Sequence, residues 1–148
     1  MNKEIMLQQL EQSKTDCERI LNNINPENSA FRLCEETASV GIIYRHIGES
    51  IQLIAQFFGY QTSVEGTTMG QSDTGTNYDL KVSREIFEQG YKILEKLVKE
   101  RSEDDWLEEI ETAWFGRISR IKLYSLTLFH NAQHCGQIAS ALLKGKTF

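Results

Sequence analysis

The 148-residue sequence contains one proline, Pro26, so the ring that breaks helices bars only a single place in the chain. Cysteine is also scarce. Cys17, Cys34 and Cys135 are odd in number and lack C-x-x-C spacing, which excludes a closed disulfide framework and argues against a metal-thiolate cluster. Free thiols suit a reducing compartment, so a cytoplasmic location is the expectation. No apolar run approaches the roughly 18 residues of a membrane span, and the opening "MNKEIMLQQL" is too polar for a signal peptide. No membrane association is expected. Positive charge is in deficit, with 16 Lys and Arg against 21 Asp and Glu and a net charge of -5. The basic residues are scattered among acids, so the overall field repels phosphate backbones and nucleic acid is not an expected partner.

Several chemical signatures are missing. Gly66, Gly70 and Gly75 form neither a P-loop nor a dinucleotide fingerprint, and no G-x-S-x-G elbow is present. The Glu-x-x-His pairs of dinuclear carboxylate bundles are absent, as is the C-x-x-C-H attachment of a c-type haem.

What remains is helical periodicity. Leu7, Leu10, Cys17, Leu21 and Ile24 recur at three- and four-residue steps and predict an amphipathic helix over about residues 2–24, ended by Asn25-Pro26. Residues 27–38 have no period and read as a connector. From Ser39, the stripe Val40, Ile43, Ile47, Ile51, Ile54 and Phe58 predicts a second helix, with Gly59 as its stop. Residues 60–79, rich in Gly, Thr and Ser, form a long connection that reads as a lid or a crossover. Asp79 caps a third helix to about Glu100, with Val82, Ile86, Ile93, Leu94 and Leu97 inward. One short helical turn follows Ser102, and "TAWFGRI" reads as extended or irregular. The final helix runs from about Ser119 to Lys144, stopped by Gly145. Four long helices and no convincing strand predict a single all-α domain over 1–148, a four-helix bundle. The long link allows the second and third helices to run parallel.

The chain has three histidines, and two of them, His130 and His134, lie four apart on the final helix. Residues at that spacing share a face, where two imidazoles can converge on one ion. Leu123, Thr127, Ile138 and Ala141 lie on the same face, which turns it to the core. His46 lies on the border of the second helix's stripe and completes a three-histidine set if the two helices are neighbours. Three neutral nitrogens leave positions for water, the arrangement of a catalytic rather than a closed structural site. The competing reading is hydrogen-bonded core histidines. Glu49 and Gln137 are candidates to orient the rings, and Glu49 reads equally as a helix-surface residue. Cys135 points about 100° away from His134 around the helix and makes a poor fourth ligand. The pair Trp114-Phe115 reads as core or subunit contact ahead of a substrate platform.

These residues carry a resemblance. "YRHIGES" around His46 and "HNAQHCGQI" from His130 resemble the DinB-like (DinB/YfiT) superfamily, in which a histidine early in the second helix joins an H-x-x-x-H pair on the last, followed by Gly-Gln. The likeness spans nearly the whole chain. It departs at Cys135, where relatives often carry arginine or another polar group, and in both long connectors. The resemblance implies parallel second and third helices, a divalent cation (zinc, nickel or iron) held by His46, His130 and His134, and a homodimer. It further implies metal-assisted hydrolysis, or transfer and isomerisation with a low-molecular-weight thiol, on a small-molecule substrate. A non-catalytic interaction protein of the same fold is the alternative. No general acid or base is assignable from the residues.

Overall fold

In the computed structural model, which describes residues 2–68 and 78–148, four long helices carry the fold. They are α1 (Lys3–Leu21), α2 (Val40–Phe57), α3 (Leu80–Glu100) and α5 (Arg120–Lys144), with a short α4 (Glu103–Leu107) before the last. The ends follow local chemistry. Asn2 accepts from the Glu4 N-H, Ser39 from the Ile42 N-H, and Asp79 from the Lys81 and Val82 N-H groups, so three starts have a side-chain cap. Ser102 and Asp105 form a reciprocal capping box on α4. Gly59 ends α2 with a φ of 83°, the left-handed turn that glycine makes without a Cβ clash. The first helix stops at Leu21 rather than near residue 24. There the Asn23 side chain donates to the carbonyls of Arg19 and Ile20 and satisfies the last turn before Pro26 is reached.

Contacts along the helices set their directions. Gly48 lies against Phe87, Ile51 against Gly90 and the Phe58 carbonyl against Arg101, so α2 and α3 advance together and are parallel. Met6 meets Tyr124 and Cys17 meets Cys135, so α1 and α5 are also parallel. The two pairs oppose each other, with Lys3 bonded to the Lys99 carbonyl and Asn22 to Arg84. Each helix packs on two others, α2 on α3 and α5, and α1 on α5 and α3. The expected crossover therefore holds, although residues 69–77 of the 60–79 connection lie outside the described residues.

Two features differ from expectation. Residues 109–119 form an antiparallel hairpin of β1 (Glu109–Thr112) and β2 (Gly116–Ser119), registered from Glu109 opposite Ser119 to Thr112 opposite Gly116. The buried Thr112 hydroxyl donates to the Gly116 carbonyl and accepts from the Phe115 N-H, and Gly116 closes the turn at φ 61°. A side chain and one glycine thus replace the apolar alternation that would have announced a strand. On α3, Val82 is exposed, and the buried line runs through Ser83, Phe87, Gly90, Tyr91, Leu94 and Leu97. That line is one position on from Val82. The reason is Gly90: a Cβ there would lie 2.8 Å from Ile51 Cγ2, so the helix presents its glycine to α2 and rotates Val82 outward.

The core is continuous across all four long helices. Trp106, fully buried, stacks edge-on against Phe58 and Tyr124, with ring centroids 5.6 Å away in both cases. This aromatic plug closes the end of the bundle where α2 finishes and α5 begins. The opposite end, where α2 starts and α5 finishes, is left to the connectors. No described helix is long and apolar enough to cross a membrane.

Candidate metal centre

His46 sits two turns into α2, and His130 and His134 lie mid-way along α5, on neighbouring antiparallel helices. Their rings meet. Nε2 of His46 and Nε2 of His134 each lie 3.1 Å from Nε2 of His130, and one nitrogen from each ring falls within 4.8 Å of the others. His46 is 5% exposed, and the other two are half-buried.

The second ring nitrogens show which lone pairs face inward. Nδ1 of His134 lies 2.7 Å from Oε1 of Gln137. An amide oxygen only accepts, so Nδ1 carries the proton and the neutral ring turns a bare Nε2 lone pair toward His130. Nδ1 of His46 lies 2.8 Å from the Thr67 hydroxyl and 3.3 Å from that of Ser50, which fix its ring. His130 Nδ1 is buried without a well-formed hydrogen bond among the described residues, although the adjacent Asn131 side chain opposes the lowering of its pKa.

Burial holds all three imidazoles below their ordinary pKa. For His46 it is joined by the charges of His134 and His130, giving about 3, and for His130 by that of His134, giving about 4. His134 is also lowered by burial, against a raising contribution from Gln137. All three rings are neutral at physiological pH, the form that binds metals.

The donor set fits a divalent cation. Bonds of about 2.1 Å to imidazole nitrogens at tetrahedral or octahedral angles place neighbouring donors roughly 3.0–3.4 Å apart. The two separations to His130 are 3.1 Å, while the set as a whole spans up to 4.8 Å, so ligation of one ion by all three draws the His46 and His134 rings together. Without an ion, a proton on one Nε2 can bridge each 3.1 Å contact as a hydrogen bond, and a bound cation takes that proton's place. Three neutral donors on one side leave the other side open to a further ligand.

That open side is a cavity of about 570 Å³. Ile42 and Ile43 of α2, Leu33 and Ala38 of the first connector, and Ala141 of α5 form its apolar wall. Thr37, Thr68, Gln133 and Gln137 supply the polar atoms besides the histidines.

Other sequence candidates fall outside the ring contacts. Glu49 accepts the Thr68 N-H at 3.0 Å and pairs with Arg45 at 3.5 Å, so it pins the second connector rather than His46. Burial raises its carboxyl pKa against the pull of the Thr68 N-H and Arg45. Cys135 faces α1, where contact with Cys17, followed by burial, holds its thiol above the usual range. It is turned from the cavity as its position on the helix predicts. Trp114 and Phe115 are half-exposed at the hairpin tip, Trp114 stacking on Phe57 at 5.2 Å. Sequence reasoning missed Ser50 and Thr67. Ser50 was within reach of it, one turn beyond His46 on the same face, but Thr67 lies in a stretch without any period.

No family model and no curated protein matches the chain. Solved structures do. Crystal structures of a mycothiol-dependent maleylpyruvate isomerase and of one of its mutants both superpose with a TM-score of 0.71, at 17% and 16% identity, over 93% of this chain. The chain spans 61% of the isomerase's length. TT2238, described as a four-helix bundle protein, gives 0.66 at 13% identity over 91% of this chain and 96% of its own. The colibactin self-resistance protein ClbS, in complex with double-stranded DNA, gives 0.66 at 13% identity over 95% of both chains. With parallel α2 and α3, a long link between them and these structural relatives, the chain has the DinB-like four-helix-bundle fold.

Proposed function

We propose that the chain is a metal-dependent enzyme, a hydrolase or a low-molecular-weight-thiol transferase, in which His46, His130 and His134 hold a divalent cation such as zinc, nickel or iron. The observation that carries this reading is the convergence of three neutral Nε2 atoms at the floor of an open cavity. When bound, such an ion lowers the pKa of a coordinated water or thiol and so supplies a nucleophile near neutral pH. The chain's own groups do the rest. Gln137 and Thr67 fix the rings, and Ile42, Ile43 and Leu33 give the cavity an apolar wall. The thiol branch is supported by the name of the mycothiol-dependent isomerase that shares the fold.

A non-catalytic metal-binding protein is the second reading, and one observation favours it. None of the described residues lining the cavity is Asp, Glu, Lys, Tyr or Cys, so among them no general acid or base joins the histidines. Elemental analysis of untagged protein, repeated on His46→Ala, His130→Ala and His134→Ala, tests the shared premise. Each variant should lose metal while keeping its helical circular dichroism, and undiminished metal content rejects the site. Turnover of ester, amide and thiol substrates by the loaded protein separates enzyme from binder.

A homodimer is part of the proposal. Phe129 and Leu143 on the outer face of α5 are 74% and 81% exposed, and Phe129 borders an open groove between α1 and α5 with Leu128, Ala132 and Gly136. Sedimentation at micromolar concentration, compared with Phe129→Glu, tests it. Nucleic acid is kept out of the reading by the net charge of -5. A mobility shift with double-stranded DNA at 0.15 M salt, the partner seen with ClbS, should be negative. Reducing conditions suit the three free thiols, in keeping with a cytoplasmic location.

A further inference from the structure

The described lining of the cavity above the histidines contains no Asp, Glu, Lys or Arg. Two arginines lie close to the lining residues in sequence. Arg45 precedes His46, pairs with Glu49 at 3.5 Å and lies over the Tyr78 ring at 5.2 Å, its Nε and Nη1 buried without a hydrogen bond among the described residues. Arg32 donates to the Glu35 carbonyl. Residues 69–77, outside the described residues, include no lysine or arginine.

From this lining we infer that the cavity takes a small substrate with one metal-binding head and an uncharged, largely apolar body, and discriminates against one that carries a second anionic group. The inference rests on the metal reading proposed above and names the substrate class of that site. A cation at the three histidines satisfies a single anionic or thiol head. A second carboxylate or phosphate on the same molecule would then meet a described lining of apolar side chains with the neutral donors of Thr37, Thr68, Gln133 and Gln137 and no cation, too little to replace its lost hydration. An apolar body at the same place removes that wall from water instead. The polar atoms of the described lining besides the histidines are neutral, the hydroxyls of Thr37 and Thr68 and the amides of Gln133 and Gln137. Gln137 has its oxygen bonded to His134, which leaves its N-H groups, with the side chain of Gln133, for a carbonyl or hydroxyl. A volume of about 570 Å³ lies within the range of small-molecule sites.

The test is isothermal titration of the zinc-loaded protein with three hydroxamates that share one metal-binding head. Acetohydroxamate is the head alone, octanohydroxamate adds an apolar tail, and the monohydroxamate of suberic acid has the same eight carbons ending in a carboxylate. Octanohydroxamate should bind at least tenfold more tightly than the suberic compound. Leu33→Arg, at an exposed connector position where folding is not at stake, should reduce that ratio to threefold or less by placing a cation on the wall. Equal or tighter binding of the carboxylate-ended ligand overturns the inference, as does an unchanged ratio in Leu33→Arg, which puts the tail elsewhere. Failure of all three ligands, acetohydroxamate included, shows that the bound zinc offers no open position and overturns the inference, whereas loss of the metal reading is a different result, read from the zinc content of the same sample.

Discussion

Gln137 holds His134 from one turn further along the same helix, its Oε1 2.7 Å from Nδ1. The pair is local, since both residues belong to α5, and it determines the ring's tautomer whatever the rest of the bundle does. Removing the amide should therefore damage metal binding and leave the fold intact. Gln137→Met keeps the length and loses the acceptor, so zinc affinity should fall about 10–100-fold, the usual cost of losing such a partner. Gln137 is exposed, so the unfolding free energy should change by no more than about 0.5 kcal/mol. Competition against a chelating dye measures the first and urea unfolding of the metal-free chain the second. Unchanged affinity would show that the hydrogen bond does not orient a ligand.

His46 predicts how the metal-free protein responds to acid. Its folded pKa of about 3 lies below the ordinary value near 6.5 for an unfolded chain, because burial and the two other imidazoles oppose its charge. Between those values the unfolded state binds a proton that the folded state refuses, so stability is complete above about pH 6.5 and declines as pH falls toward 3. At pH 5.0 the loss from this residue alone should be about 2 kcal/mol relative to pH 7.5. Urea unfolding of the metal-free chain and of His46→Gln at both pH values isolates it. The difference between the two proteins should shift by that amount, and an equal difference at both pH values would refute the shifted pKa.

How much of this was legible in the sequence depends on whether a signal was local. Asp79 and Gly59 announced helix ends because a cap or a left-handed turn is decided within a few residues. The spacing of His130 and His134 announced a shared face for the same reason. Placing His46 beside them required α2 and α5 to be neighbours, and only the length of the 60–79 connection, with the family resemblance, spoke to that. Val82 was misread because a lone glycine appears in sequence only as a weak helix former, whereas Gly90 is the point where α3 touches Ile51. The hairpin left no alternation to read, its turn being set by Thr112 and Gly116. Thr67 reaches His46 across 21 residues, and no period in the chain connects them.

Gly48 provides the converse of the usual helix rule. Alanine in place of glycine within a helix ordinarily stabilises by about 1 kcal/mol. Here the added Cβ would lie 2.8 Å from the Phe87 backbone nitrogen, so α2 and α3 must separate to admit it. Gly48→Ala should destabilise the protein by about 1–3 kcal/mol, the cost of an overpacked contact. Because His46 is two residues away, metal affinity should fall as well. Thermal unfolding and dye competition on the one variant check both, and a stabilised Gly48→Ala would mean that the helices are not in backbone contact.

Tyr91 connects three helices through one hydroxyl. It lies 3.0 Å from Ser13 Oγ on α1, donates toward Cys17 Sγ at 3.7 Å, and accepts from Asn131 Nδ2 on α5 at 3.1 Å. Burial, followed by the neighbouring Cys17, raises its pKa beyond the ordinary range, so it stays a neutral donor and acceptor. Asn131 is wholly buried, and Nδ2 has no other bond among the described residues. Tyr91→Phe removes the acceptor and leaves that donor in an apolar setting, which should cost about 1–3 kcal/mol. Replacing the asparagine as well, in Tyr91→Phe with Asn131→Leu, removes the stranded amide and should recover part of the loss. Asn131 follows His130 directly, so a loosened network should also broaden the ring resonances of His130 in the metal-free protein. Additive losses in the double variant, with sharp His130 signals throughout, would show that the network supports the bundle but does not bear on the histidines.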